Sequence, residues 1–188
     1  RARPAVNVLP RTLAECELAG RGTYARFDRD AARAKIKAAR RELAAVGLLA
    51  DGKIPQLILY FAGTDEDGRK HARFFAEQFA AVGLDVKAVP LDWPALQMRI
   101  HKKQCQMWSM GWHLDYPDAQ NVLQCFYGPH VARGLNSCNY ASAAFDKLYE
   151  AALPLPDGPR RRELYVRMVR QVSEDCPVLV LTEPQSYL

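Results

Sequence analysis

The chain has 188 residues, 49% of them apolar and 25% charged, with a net charge of +5. That is an ordinary globular composition, and the length is enough for one domain with a proper core. No apolar run approaches the roughly 18 residues that a bilayer span needs, and no charged-then-apolar leader opens the chain, which begins at Arg1. It therefore reads as a fragment or a processed chain.

The positive charge is concentrated in residues 1–50, where 11 Lys or Arg stand against 5 Asp or Glu. Most of it (Arg33, Lys35, Lys37, Arg40 and Arg41) flanks an apolar helical stripe. A solvated helix face accounts for that pattern better than a nucleic-acid footprint, since no helix-turn-helix, zinc-finger or RNA-binding motif accompanies it. The five cysteines are Cys16, Cys105, Cys125, Cys138 and Cys176, an odd number with no CxxC spacing and no His at ligand distance. Zinc needs closely paired thiolates or imidazoles, so a metal site is rejected, and no motif calls for a cofactor. Cys105 reads as a small buried hydrophobe in a strand. Cys125 and Cys138 bracket one loop and could bridge in an oxidising compartment, although sequence alone sets no Cα separation.

Residues 1–27 are rich in Arg, Pro and Gly without a clear period, which predicts a linker or the remnant of a preceding region. Asp28 caps a helix expected over about 30–46, with Ala32, Ile36, Ala39, Leu43 and Val46 on one face and Gly47 as a left-handed stop. Leu57 to Phe61 is a short apolar run bounded by turn residues and predicts a buried strand. A helix over about 66–82 carries Ala72, Phe75, Phe79 and Val82 on one face, and a strand over 84–89 follows. Asp92 caps a short helix through Ile100, with Pro94 tolerated in its first turn. A strand over 105–110, helices over about 142–152 and 159–174, and a strand over 178–181 complete the order. Ala-Ala-Val-Gly-Leu occurs at both 44–48 and 80–84, as two helices closing on the same glycine stop would require. Strands alternating with helices predict a single α/β domain whose four strands share one largely parallel sheet.

The unusual segment is 111–141, a long connection of the kind that tends to carry function, and it begins where a strand ends. Gly111 permits a sharp exit. Trp112, Tyr116, Phe126, Tyr127 and Tyr140 offer large rigid surfaces, Asp115 and Asp118 offer charge, and Asn121, Asn136 and Asn139 add hydrogen-bonding amides. By themselves Asp115 and Asp118 are turn residues before and after Pro117. A paired-carboxylate active site lacks any companion nucleophile or tuned acid, so an enzyme is not expected. Trp108 and Met110 alternate along a strand and read as core.

Gly111-Trp112-His113-Leu114-Asp115-Tyr116-Pro117-Asp118-Ala119 resembles the Gly-Trp-x-x-Asp-Tyr-x-Asp segment of the family 5 extracellular solute-binding proteins, the oligopeptide and dipeptide binders. Weaker likenesses occur in the right order along the chain: Phe27-Asp28-x-x-Ala31, Ala45-Val46-Gly47, Asn139 to Asp146, Arg162-x-x-Leu164-Tyr165 and Glu174-Asp175-Cys176-Pro177. The resemblance implies a periplasmic-binding-protein-like (type II) fold, a mostly parallel sheet flanked by helices. It implies that residues 28–188 are the C-terminal lobe of a two-lobed receptor whose N-terminal lobe is absent from this chain.

It further implies binding of a peptide or other small solute and delivery to the membrane permease of an ABC transporter. The location would be periplasmic or extracellular, with a membrane anchor conceivable in the parent. Asp115 would hold a ligand α-ammonium, as a charge-assisted pair, with Trp112 packing beside it. Asp115, Trp112, Tyr116, Tyr140 and Asn139 are the candidate ligand-binding residues, although Asn139 and Tyr140 can equally well start the next helix. Ser109 stands where some oligopeptide binders carry an Arg for the far end of the ligand, and His113 replaces a Cys of some relatives. An intracellular ligand-sensing domain of a regulator with the same fold is the alternative reading.

Overall fold

The computed structural model describes residues 2–131 and 134–184. In chain order its elements are β1 (Ala2–Pro4), α1 (Ala14–Ala19), α2 (Arg29–Ala45), β2 (Leu57–Ala62), α3 (Glu66–Ala80), β3 (Val86–Leu91), α4 (Trp93–His101), β4 (Met107–Ser109), α5 (Gln120–Leu123), α6 (Ala143–Ala152), α7 (Pro159–Asp175) and β5 (Thr182–Pro184). Short 3-10 turns lie at Gln124–Phe126 and Gly128–Val131. The helix starts are written in the side chains. Asp28, Asp65 and Asp92 accept the backbone N–H of Ala31 (2.9 Å), Gly68 (2.8 Å) and Ala95 (2.8 Å), each satisfying a donor that a helix leaves open. The chain divides into two compact units, Asp28–Gly111 and the pair of segments Arg1–Phe27 with Trp112–Leu188.

The first of these units is a parallel sheet in the order β3-β2-β4. Leu57 to Ala62 pairs with Val86 to Leu91, and Leu59 to Phe61 pairs with Met107 to Ser109. Parallel neighbours need crossover connections, and α3 and α4 supply them. Leu59, Phe61, Val86 and Leu96 are buried, and Phe61 meets Phe75 of α3 at 6.4 Å between ring centroids. Ala32, Ile36, Ala39 and Leu43 are the half-buried positions of α2, and none of its residues is fully buried. Instead the helix is tied by arginines to the C-terminal end of α3. Arg33 donates to the Ala81 carbonyl at 3.0 Å and Arg40 to the Gly83 carbonyl at 3.2 Å. The Ala81 carbonyl is an acceptor that the helix end leaves open and the Gly83 carbonyl belongs to the turn that closes it, so part of the basic face has structural work beyond solvation. The repeated Ala-Ala-Val-Gly-Leu is also explained. Gly47 and Gly83 both have positive φ (70° and 89°), and Leu48 and Leu84 donate back to the carbonyls of Leu43 and Phe79. Both helices thus end in the same Schellman-type closure.

The second unit holds the deepest core: Leu9, Leu13, Cys16, Leu123, Phe126, Phe145, Tyr149, Met168, Val169 and Val172 pack together. Ser142 caps α6, its Oγ accepting from the Phe145 N–H (3.4 Å) and from Gln171 Nε2 (2.7 Å).

Several expectations are corrected here. Residues 1–27 are not a linker: they form β1 and α1, and Leu9, Leu13 and Cys16 enter the core. The buried Asn7 donates to the carbonyls of Cys16 (2.9 Å) and Gly20 (2.8 Å) and accepts from Leu9 N–H (2.9 Å). The chain is not a single unit either, and a 28–188 boundary cuts the larger core, because 1–27 clusters with 112–188. Finally, 178–181 is not a fourth strand of the parallel sheet. Pairing begins at Thr182, antiparallel, with Ala2↔Pro184 and Pro4↔Thr182. A four-residue apolar run carries no information about which strand it will meet. Cys105 likewise lies ahead of β4 and is half-buried, and Met110 is exposed while Trp108 is half-buried.

Candidate functional site

From Trp112 onward the signature segment belongs to the unit that contains α6 and α7. Its anchor is α5 with the residue before it: Ala119, Asn121, Val122 and Leu123 are all buried. Asn121, with no exposed surface, faces two residues that reach solvent. Its Oδ1 accepts from Trp112 Nε1 at 2.9 Å and from the Asp115 N–H at 3.4 Å, and its Nδ2 donates to Asp115 Oδ2 at 3.2 Å. Trp112 stays 39% exposed and Asp115 is exposed. Next to them Tyr116, 44% exposed, donates its hydroxyl to Gln120 Oε1, and Gln120 Nε2 donates to Tyr149 Oη at 2.7 Å.

Asp118 plays a larger structural part than a turn residue. Its Oδ1 accepts from the Gln120 N–H at 2.8 Å, and its Oδ2 accepts from Arg161 Nη1 of α7 at 2.6 Å. The two side chains are mostly buried, and the guanidinium sits 4.9 Å from the centroid of the Tyr165 ring. A charge-assisted bond in such surroundings is among the stronger kinds. It fastens the segment to α7.

The candidate residues therefore fall into two groups. Trp112 and Asp115 are brought together by one amide, and Tyr116 follows on the same stretch. Asn139 and Tyr140 are not brought to them by any contact among the described residues. Asn139 is exposed with a left-handed backbone (φ 58°), a turn position that Asn tolerates well. Tyr140 packs edge-on against Phe126 (6.3 Å) and Phe145 (5.7 Å), and its hydroxyl donates to Asp175 of α7. Burial, aided by the Asp175 carboxylate, pushes that phenol up to about 12. Tyr140, half-buried, thus packs against the core of the α6–α7 unit.

Burial holds the thiols of the same unit in their protonated form. Burial first, and Cys138 second, push Cys125 up to about 12, while burial raises Cys138. Both are free thiols, with Cys138 Sγ 3.3 Å from Asn136 Oδ1 and 3.9 Å from the Cys125 carbonyl oxygen. Among the described residues, no three His, Cys, Asp or Glu side chains gather in a group that could hold a metal ion.

What this arrangement can do is present an oriented carboxylate to solvent, beside an indole face and a phenol ring. That suits a cation carried on a larger organic body. Sequence reasoning counted Asn121 only as one amide among several. No local signal marks it out, because Asn121 stands beside Gln120 in a mixed stretch, and only the packing of α5 buries it.

Residues 2–133 match the family described as "Bacterial extracellular solute-binding proteins, family 5 Middle". The di/tripeptide-binding protein 3 of Pseudomonas aeruginosa is 27% identical over 151 residues, which is 78% of this chain and 28% of that protein. The periplasmic oligopeptide-binding protein OppA of Escherichia coli is 25% identical over 142 residues, 75% of this chain and 25% of that protein. Among solved structures, Haemophilus influenzae OppA in complex with RPPGFSPFR aligns with a TM-score of 0.77 at 18% identity, over 96% of this chain and 34% of that one. Helicobacter pylori DppA in complex with the peptide STSA aligns with a TM-score of 0.72 at 23% identity, over 96% of this chain and 33% of that one. These structures establish the fold, α/β and of the periplasmic peptide-binding kind, and this chain spans about a quarter to a third of the length of such relatives. With most of its length matched by the family description, the chain belongs to the bacterial extracellular solute-binding proteins, family 5.

Proposed function

We propose that this chain is the C-terminal ligand-binding part of a periplasmic or extracellular receptor that binds peptides for an ABC importer. In this reading Asp115 holds the α-ammonium of the ligand, Trp112 walls the site, and Tyr116 contributes an aromatic surface. The observation that carries it is the exposed Asp115 carboxylate fixed beside the exposed Trp112 indole by hydrogen bonds from below. Among the described residues no salt bridge engages this carboxylate, and an ammonium would complete its remaining lone pairs. The names of the relatives, di/tripeptide-binding and oligopeptide-binding, support peptide as the ligand class. They support a binding role over a catalytic one, and they give the regulator reading of the same fold nothing. A second lobe and a membrane permease follow as partners from family membership, because the chain spans 28% of the first of these relatives.

The test is calorimetric titration of the complete gene product with trialanine and with N-acetyl-trialanine. Asp115→Asn keeps the shape and removes the charge, so trialanine affinity should fall by roughly 30-fold to several-thousand-fold. N-acetyl-trialanine should bind the wild type weakly and the variant equally weakly. Asp118→Asn should lower the melting temperature and leave the preference for the free N-terminus intact. The 188-residue chain alone should bind trialanine no tighter than about millimolar, because half of the contacts are missing. Equal wild-type affinity for the free and acetylated peptides would refute the ammonium role.

A further inference from the structure

We infer that Asn121 is a positioning residue for ligand recognition: its buried amide holds the Asp115 carboxylate and the Trp112 indole in one fixed relation before any ligand arrives. The inference rests on the reading of Asp115 given above and adds what sets its geometry. Three bonds converge on the one amide, at 2.9 Å from the indole Nε1, 3.4 Å from the Asp115 N–H and 3.2 Å to Asp115 Oδ2.

Their chemistry admits only one orientation of that amide. With Oδ1 toward Trp112 and the Asp115 backbone, it accepts from two N–H donors, and its NH2 meets a carboxylate oxygen. Turned over, it would set NH2 against two donors and an oxygen against a carboxylate, three repulsive contacts in place of three bonds. The amide is therefore keyed, and it keys its two partners. It cannot drift, because it is fully buried between Ala119 and Val122 on α5, and its own carbonyl accepts from Gln124 Nε2 at 3.1 Å.

The arrangement matters because Asp115 and Trp112 are both exposed. An exposed carboxylate and an exposed indole would ordinarily sample several rotamers, and a ligand would have to order them at a cost to affinity. Fixing them from beneath moves that cost into folding. It also consumes Oδ2 as an acceptor for Asn121 and so aims the rest of the carboxylate outward. A buried amide serving only the turn would need no bond to an indole nine residues back in the chain.

Asn121→Ser removes the reach of the amide and leaves a small polar residue. In the complete gene product it should weaken trialanine binding by roughly 10-fold, the loss expected when two side chains must be ordered on binding. N-acetyl-trialanine, which makes no ammonium contact, should be unaffected, so the ratio between the two affinities should drop by the same factor. A purely structural role would reduce both affinities together, and that result would overturn the inference.

A second measurement needs no variant. Trp93 and Trp112 are similarly exposed, at 45% and 39%, but only the Trp112 indole N–H is bonded to a buried acceptor. In wild-type protein its hydrogen exchange should be at least about tenfold slower than that of Trp93. Equal rates would overturn the inference even if the Ser variant failed to fold. The two failures are separable. Acetylation-sensitive binding that is lost in Asp115→Asn but unchanged in Asn121→Ser removes the positioning role alone. Wild-type protein indifferent to acetylation, or binding neither peptide, removes the ammonium reading and this inference with it.

Discussion

Helices α2 and α7 are the same length, 17 residues, and behave oppositely. Helix α7 buries Tyr165, Val166, Met168, Val169 and Val172, whereas α2 buries none of its residues. Both have an apolar stripe at helical spacing. The stripe of α2 is half alanine, which has little surface to remove from water, while that of α7 is made of large side chains. Period decides which face turns inward, and side-chain size decides how far it goes. Accordingly α2 is fastened by arginines reaching the carbonyls at the end of α3, and α7 is fastened by burial.

That contrast can be tested at three levels. The largest effect belongs to the deep core: Phe145→Ala, at a residue with no exposed surface and aromatic neighbours on three sides, should cost about 3–5 kcal/mol. Exchange protection should then be lost across α6 and α7 before it is lost in the parallel sheet of the other unit. Uniform loss over both units would show that they do not unfold separately.

The second level is alkaline pH. Cys125 and Tyr140 are each pushed up to about 12 in the folded chain, against ordinary values of 9.0 and 10.0. The folded state therefore keeps protons that the unfolded state gives up, and their contribution is complete below about pH 9 and lost as pH rises toward 12. The melting temperature of the α6–α7 unit should fall between pH 9 and 11. Cys105 is the one residue of the other unit with a raised value among the described groups, so that unit should respond less. The smallest effect is Arg40→Ala, which removes one bond to the end of α3 and should cost about 0.3–1 kcal/mol, read as faster exchange in α2.

Much of the fold was legible because it is local. Asp28 and Asp92 mark helix starts by bonds to residues three positions on, as Asp65 and Ser142 also prove to do in the structure, and Gly47 and Gly83 mark ends by a backbone conformation that glycine adopts freely. Illegible parts depend on distant partners. Leu9, Leu13 and Cys16 have helical spacing, but they face α7, which no local pattern in residues 1–27 announces. Val178 to Leu181 had the composition of a buried strand, but the ladder with β1 reaches it only through the Ala5 N–H bond to the Leu181 carbonyl. The candidate site divides in the same way. Trp112, Asp115 and Tyr116 were recognisable as a group because they lie within five residues. The bond from Asp118 to Arg161 spans 43 positions, and Tyr140 turned into the Phe126–Phe145 cluster because that cluster exists only once α6 is packed.

The antiparallel pairing of β1 with β5, Ala2 against Pro184, makes the unit that carries Asp115 discontinuous in the chain, whereas residues 28–111 are continuous. On a ribosome working at ~5–20 residues per second, the parallel sheet has all its parts well before α7 has been made. Leu9, Leu13 and Cys16 must then wait, with their apolar faces uncovered, for on the order of ten seconds or more. The residues proposed for ligand recognition thus lie in the unit whose parts are completed last, on contacts of the longest sequence separation, which are the slowest kind to form. Chaperone supply should therefore govern the yield of the folded Asp115-bearing unit more strongly than the yield of a folded parallel sheet.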